Sequence, residues 1–241
     1  MSMKNEHLDY PSQAINTNEQ EPLLKRVDRK YAAEEFLNLI GYEKGFLFTV
    51  RELLLRPSKL IHHYLSTDRN ACTKPVTFLF LCSVIYSLIT SYLEIDVLSE
   101  EQLQKQYGAS SVNNVMLWIQ NNYGYANILM LIFIVFWTRI FFKKYAYNMY
   151  EIGVLLCFIM GEGMLWLSVH PIVGKFVTNA ILDTVIFSII LIYLSWAIGQ
   201  FFGGGFKNYL KALFAYLLGV GSFQILAILI GITIDLITKK I

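Results

Sequence analysis

The stretch Ile152-Gly-Val-Leu-Leu-Cys-Phe-Ile-Met-Gly-Glu-Gly-Met-Leu-Trp-Leu-Ser-Val169 decides the fold. Its eighteen residues carry one charged group, Glu162. At a rise of 1.5 Å per residue, roughly 20 apolar residues cross a hydrocarbon core of about 30 Å, so the stretch reads as a transmembrane helix. Four further runs qualify on the same ground, at about Val76–Leu93, Tyr125–Phe142, Ala180–Gln200 and Ala212–Ile234. The expected fold is all-α, a polytopic bundle of five spanning helices.

Composition agrees with that reading. The chain of 241 residues is 55% hydrophobic, 15% aromatic and only 16% charged. A soluble domain carries about 25% charged residues to keep its surface in water, so an ordinary soluble enzyme is excluded. The apolar content excludes a disordered or collagen-like chain, and three cysteines in this length exclude a disulfide scaffold. Cys72, Cys82 and Cys157 have neither CxxC spacing nor a histidine in ligand register, so free thiols are expected, with no metal and no cofactor.

The net charge of +2 hides a segregation: residues 1–75 hold eleven of the twenty Lys and Arg and ten of the eighteen acids. Residues 1–30 are polar and broken by Pro11 and Pro22, which predicts a disordered tail. No apolar run occurs in the first forty residues, so the first membrane helix is expected to act as its own insertion signal. Residues 31–75 become helical. Phe46, Val50, Leu53 and Leu54 share one face, while Arg51, Glu52 and Arg56 keep the run from spanning. Pro57 ends that helix and suits the first turn of the next, which carries Leu60, Ile61, Tyr64 and Leu65 on one side. Two amphipathic helices lying in the membrane surface are expected, followed by the spanning domain at 76–241.

Lys and Arg gather on the cytoplasmic side of membrane helices. With the N-terminus inside, that side holds the eleven early cations plus Arg139, Lys143, Lys144, Lys207 and Lys211, against Lys105, Lys175, Lys239 and Lys240 outside. Sixteen against four predicts a cytoplasmic N-terminus and a non-cytoplasmic C-terminus in a cell inner membrane. The outer loop between the first two spans is acidic, with a short interfacial helix expected at Val115–Ile119, anchored by Trp118. At an offset of sixty residues, Leu131, Ile132, Phe141, Phe142, Asn148 and Gly161 match Leu191, Ile192, Phe201, Phe202, Asn208 and Gly221. Those six identities over an apolar-biased stretch barely exceed chance.

Polar residues placed where lipid should be are the candidate site. Glu162 lies between Gly161 and Gly163, Asp183 one turn into the fourth span, and Gln224 beside Ser222 in the fifth. Counting helix rise puts Glu162 and Gln224 roughly 15–20 Å from the cytoplasmic boundary and Asp183 roughly 5 Å from the opposite one, hence at comparable levels. An intramembrane carboxyl faces the bundle interior, pairs, or stays protonated, so the trio reads either as an ion site or as Glu162 hydrogen-bonded to Gln224 or a serine. Arg51, Arg56, Lys59, Arg69 and Lys74 form a second candidate, a basic surface for anionic lipid that also serves as the topology determinant. His62 and His63 read as solvated, His170 as the end of the third span, and Gly203–Gly205 as a flexible hinge. No Ser/His/Asp order, HExxH or phosphate loop is present.

The run Thr49-Val-Arg-Glu-Leu-Leu-Leu-Arg-Pro-Ser-Lys-Leu-Ile-His-His-Tyr-Leu65, with Arg69 and Lys74-Pro75 after it, resembles an uncharacterised family of bacterial inner-membrane proteins. That domain of unknown function is often preceded by a zinc ribbon, which residues 1–45, lacking cysteine, do not contain. Lys143-Lys144-Tyr-Ala-Tyr-Asn-Met-Tyr-Glu151 resembles the family's second landmark, an aromatic turn leading to a Glu at a helix start. The resemblance implies topology over about residues 45–235 and no activity. The layout is also similar to that of the Yip family of trafficking proteins. The expected function is a non-enzymatic scaffold, assembly or lipid-contact protein, with an ion-coupled permease using Glu162, Asp183 and Gln224 as the alternative. Expected partners are membrane lipids and a protein bound through the N-terminal region, with no nucleic acid.

Overall fold

A computed structural model describes residues 45–93, 100–108, 110–174 and 180–238. The tail expected at 1–30, the helical start at 31–44, and Glu94, Asp96, Lys175, Lys239 and Lys240 lie outside the described residues. The described chain is all-α, with no strand among the described residues. Helix α1 (Phe46–Leu55) stops at Arg56, and α2 (Pro57–Ser66) starts with its proline in the first turn, where a missing N–H has no partner to lose. Then come α3 (Pro75–Leu93), α4 (Glu100–Tyr107), α5 (Ser111–Asn121), α6 (Tyr123–Phe141), a single 3₁₀ turn (Lys143–Tyr145), α7 (Met149–Leu167), α8 (Val169–Gly174), α9 (Ala180–Phe201) and α10 (Phe206–Thr238). Five helices are long and apolar enough to cross a membrane, as expected.

Two boundaries differ from expectation. Helix α10 begins at Phe206, six residues before the apolar run, because Lys207, Asn208 and Lys211 lower hydropathy without breaking the helix. Its 33 residues exceed the thickness of a bilayer core. His170 does not end a helix: it and Pro171 lie in the first turn of α8, where proline costs no hydrogen bond.

The helices α6, α7, α9 and α10 form a ring in which each packs on the next, α6 closing against α10. Helix α3 lies outside the ring against α7 and α6. Helix α7 is the hub. Its span is 67% buried against 22–39% for the others, and every residue from Leu155 to Met164 is buried. Helices do not attract one another through the hydrophobic effect in lipid, so contact depends on close fit, often at small residues. A Cβ on Gly161 would stand 2.9 Å from the Phe78 ring of α3, and one on Gly163 would stand 3.0 Å from Leu194 of α9. Across the ring, Gly219 of α10 lies against the α6 backbone at Ile134. Helix α5 crosses the end of α10, where the Ser111 N–H donates to the Asp235 carboxylate at 3.0 Å. Trp118 on α5 is half exposed, as an interfacial anchor should be.

At the other end, α1 and α2 pack with one side on the bundle. Leu53, Leu60 and Ile61 are buried, and α1 and α2 pack on α7 and α2 also on α9. The bundle thus takes one side of each helix, while Leu47, Leu54 and Leu55 of α1 stay exposed. Gly203–Gly205 is not a loose hinge. All three have positive φ, at 90°, 69° and 86°, and the Asn208 amide donates to the Phe202 and Gly204 carbonyls at 2.7 and 2.9 Å. Only glycine adopts that run of left-handed conformations without strain. The two stretches related by the sixty-residue offset form the hairpins α6–α7 and α9–α10, and their matched Phe142 and Phe202 rings stack at 3.9 Å.

Gly219→Ala should lower stability by about 1–3 kcal/mol, since the added methyl meets Ile134 backbone, which cannot rotate away. Gly221→Ala, with nothing within 4 Å, should be neutral or slightly stabilising. Thermal unfolding of the purified variants checks the pair; equal losses would mean that the α6–α10 contact is not close.

Candidate functional site

The structure separates the three intramembrane polar residues. Glu162 is 1% exposed in the second half of α7, with Cys82 of α3 and Tyr193 of α9 as electrostatic neighbours. Its Oε2 is buried with no hydrogen-bond partner among the described residues. Asp183 is partly exposed and pairs elsewhere, its Oδ1 lying 3.0 Å from His170 Nε2. That contact ties α8 to α9 at the end away from α1 and α2. Gln224 is exposed on α10 and does not meet Glu162. Its neighbour Ser222 accepts from the Trp137 indole at 2.9 Å and donates to the Leu218 carbonyl, joining α10 to α6. Helix rise gave comparable depths but carries no azimuth, and azimuth sets these residues on different faces. Among the described residues no three His, Cys, Asp or Glu gather as a metal site would require.

A junction that sequence reading missed lies at the α1–α2 end. His62 is half-buried, not solvated. Its Nδ1 stands 2.7 Å from the Ser58 carbonyl, which can only accept, so Nδ1 carries a proton, and Nε2 meets Tyr147 Oη at 3.0 Å. Burial, with the Glu151 charge added, pushes the Tyr147 hydroxyl up and keeps it a donor. The imidazole also stacks on Phe201 at 4.3 Å, and Tyr147 packs on the same ring at 4.8 Å. Tyr145 of the same turn accepts from the Asn208 amide at 2.9 Å. One aromatic turn therefore holds α2, the end of α9 and the start of α10 together. Asn148 and Glu151 fix the turn's exit through a reciprocal capping box on α7. A signal for His62 was available in its place at the border of the apolar stripe, beside Ile61 and one turn from Leu65.

Within α1–α3, the Thr49 hydroxyl bridges the Gly45 carbonyl at 2.9 Å and the Thr73 N–H at 3.0 Å, fastening the linker before α3 to α1. Phe46 packs on Phe78 at 5.3 Å. Burial, then the Asp68 charge, pushes the linker thiol of Cys72 up to about 12, so it is a packing group and not a nucleophile. The cations Arg51, Arg56, Lys59, Arg69 and Lys74 are all exposed on these elements.

Residues 43–87 match a family model described as a protein of unknown function (DUF3667). The matched stretch takes in α1, α2, the Thr73 linker and most of α3, and includes the Thr49–Leu65 run. Tyr147 belongs to residues 143–151, which lie outside the match, and the His62 contact joins that turn to the matched stretch. No curated protein and no solved structure matches the chain.

A double-mutant cycle on His62→Ala and Tyr147→Phe should give a coupling of about 0.5–1.5 kcal/mol in unfolding free energy, the usual net value of such a bond. Additive losses would show that the matched stretch and the turn meet without an energetic link.

Proposed function

We propose that the protein is a non-enzymatic membrane scaffold that holds anionic lipid headgroups at the domain formed by α1, α2 and the start of α3. One observation carries this reading. Leu53, Leu60 and Ile61 of α1 and α2 are buried against the bundle, while Leu54 and Leu55 and the cations Arg51, Arg56, Lys59, Arg69 and Lys74 are exposed beside the start of α3. A juxtamembrane cation gains about 1 kcal/mol from an anionic leaflet, and cations on docked helices lose less entropy on binding than cations on a free tail. The exposed Lys143, Lys144 and Lys207 stand at the same end of the bundle and extend the basic surface. The location is a cell inner membrane with this end cytoplasmic, and a protein partner is reached through the segment before α1. The permease reading has less support, because Glu162, Asp183 and Gln224 stand apart.

Full-length protein in nanodiscs tests the lipid contact. Adding phosphatidylglycerol to phosphatidylcholine should raise the unfolding temperature and retain anionic lipid in native mass spectrometry. The variant Arg56→Gln/Lys59→Gln/Arg69→Gln/Lys74→Gln should lose most of both effects. Equal stabilisation of variant and parent, or none by the anionic lipid, would overturn the reading.

Orientation has its own check. In intact cells a membrane-impermeant maleimide should label a cysteine placed at Gln104 and spare one placed at Lys207. The reverse pattern would put the basic end outside.

A further inference from the structure

Enclosed by the ring of α6, α7, α9 and α10 is a partly open cavity of about 230 Å³, in the half of the bundle away from the basic end. Tyr123 and Asn127 reach it from the first two turns of α6, and Tyr216 reaches it from α10. Met160, Met164 and Leu194 supply apolar wall. Gly163 contributes space: a side chain there would run into Leu194, as its Cβ already stands 3.0 Å from Leu194 Cδ2. None of the residues lining the cavity carries a charge.

Its polar groups are unused. Asn127 is 3% exposed, lines the cavity, and makes no hydrogen bond within the described protein. The Tyr123 and Tyr216 hydroxyls make none either. Asn127 is the buried one of the three, Tyr123 and Tyr216 being half-buried, and a buried amide left without a partner costs about 1–3 kcal/mol. Three groups that donate or accept hydrogen bonds thus converge on one cavity, as in a binding site. An anion or cation would find no opposite charge on the lining, so the matching ligand is neutral. The cavity volume equals roughly eight liquid waters, enough for a polar head with a single chain or one small ring but not for a two-chain phospholipid. Flexible methionines opposite the polar groups suit an apolar body of variable shape.

We propose that this cavity is a binding site for an uncharged amphiphile, an alcohol, carbonyl or amide head on one slender apolar body, with Asn127, Tyr123 and Tyr216 recognising the head. The site is separate from the basic surface and recognises by hydrogen bonding what that surface recognises by charge. Phe187 forms part of the wall and packs on His170 at 5.3 Å, so the His170–Asp183 contact braces the cavity from outside without lining it.

The probe is decan-1-ol carrying a mid-chain diazirine, added to the full chain in phosphatidylcholine nanodiscs, with crosslinks located by mass spectrometry. Labelling around Met160, Met164 and Leu194 should saturate, and unlabelled decan-1-ol should compete at least tenfold better than decane or decanoate. The lipid-facing groove between α9 and α10, which includes Ile192 and Leu213, should label without saturation and serves as the internal reference. Asn127→Leu should lower the saturable part at least fivefold while leaving the reference unchanged. Should that variant fail to fold, the competition series on the unaltered chain decides alone. Cavity labelling that is absent means a site for water only, and labelling that does not saturate means bilayer partitioning. Equal competition by decane or decanoate means no head recognition. Each of these three results overturns the proposal.

Discussion

Because ten consecutive residues of α7, Leu155 to Met164, present no face to lipid, protein has to surround that helix on every side. The rest of the architecture can be derived from this requirement. Helices α6 and α9 flank α7 within the ring, α3 covers its outer side, and α1 and α2 fill what α3 and α9 leave open toward the basic end. Close enclosure needs small residues where neighbours cross. Gly161 admits Phe78 on one side, and Gly163 admits Leu194 on another. Glu162 between them has no lipid in reach and no partner for Oε2, so its place is imposed by enclosure as much as by any chemistry of its own.

The same requirement explains why the matched stretch is not an independent unit. Residues 43–87 carry two short helices whose buried side chains, Leu53, Leu60 and Ile61, meet α7 and α9 beyond the stretch itself. Ten-residue helices are marginal in isolation, and two of them cannot bury their stripes against each other alone. Tyr147, His62 and Phe201 then bind the stretch to the turns of both hairpins. A domain boundary drawn at residue 87 by similarity falls inside α3, so it marks a recurring sequence and not a folding limit.

Hydropathy and the placement of cations made the five spans legible, and Pro57 and Pro75 made the starts of α2 and α3 legible, because length, charge and a missing N–H are properties of the chain itself. What was not legible is rotation about each helix axis. Glu162 and Gln224 look alike in depth, yet one is sealed and the other exposed, since nothing local fixes which face α7 or α10 turns to a neighbour. The periodicity of α1 and α2 likewise gives their stripes but not which residues meet protein: Leu53, Leu60 and Ile61 are buried against the bundle while Leu54 is exposed. Asn127 escaped notice because one amide near the start of an apolar span looks like a boundary residue. Its burial follows only when α7, α9 and α10 close around it.

Buried polarity thus takes two forms in one bundle. Glu162 is 1% exposed, its Oε2 has no hydrogen-bond partner among the described residues, and it is not among the residues that line the cavity. Asn127, nearly as buried, faces space that Gly163 keeps clear, and two tyrosines share that space. A packed core closes such gaps unless something occupies them, because voids lose dispersion contacts along their whole lining. The charged residue, which sequence reading singles out first, is therefore the less suited of the two to meet a partner. Recognition fits the neutral groups better, since inside a membrane a hydrogen-bonding site need not hold an unpaired charge in a low dielectric.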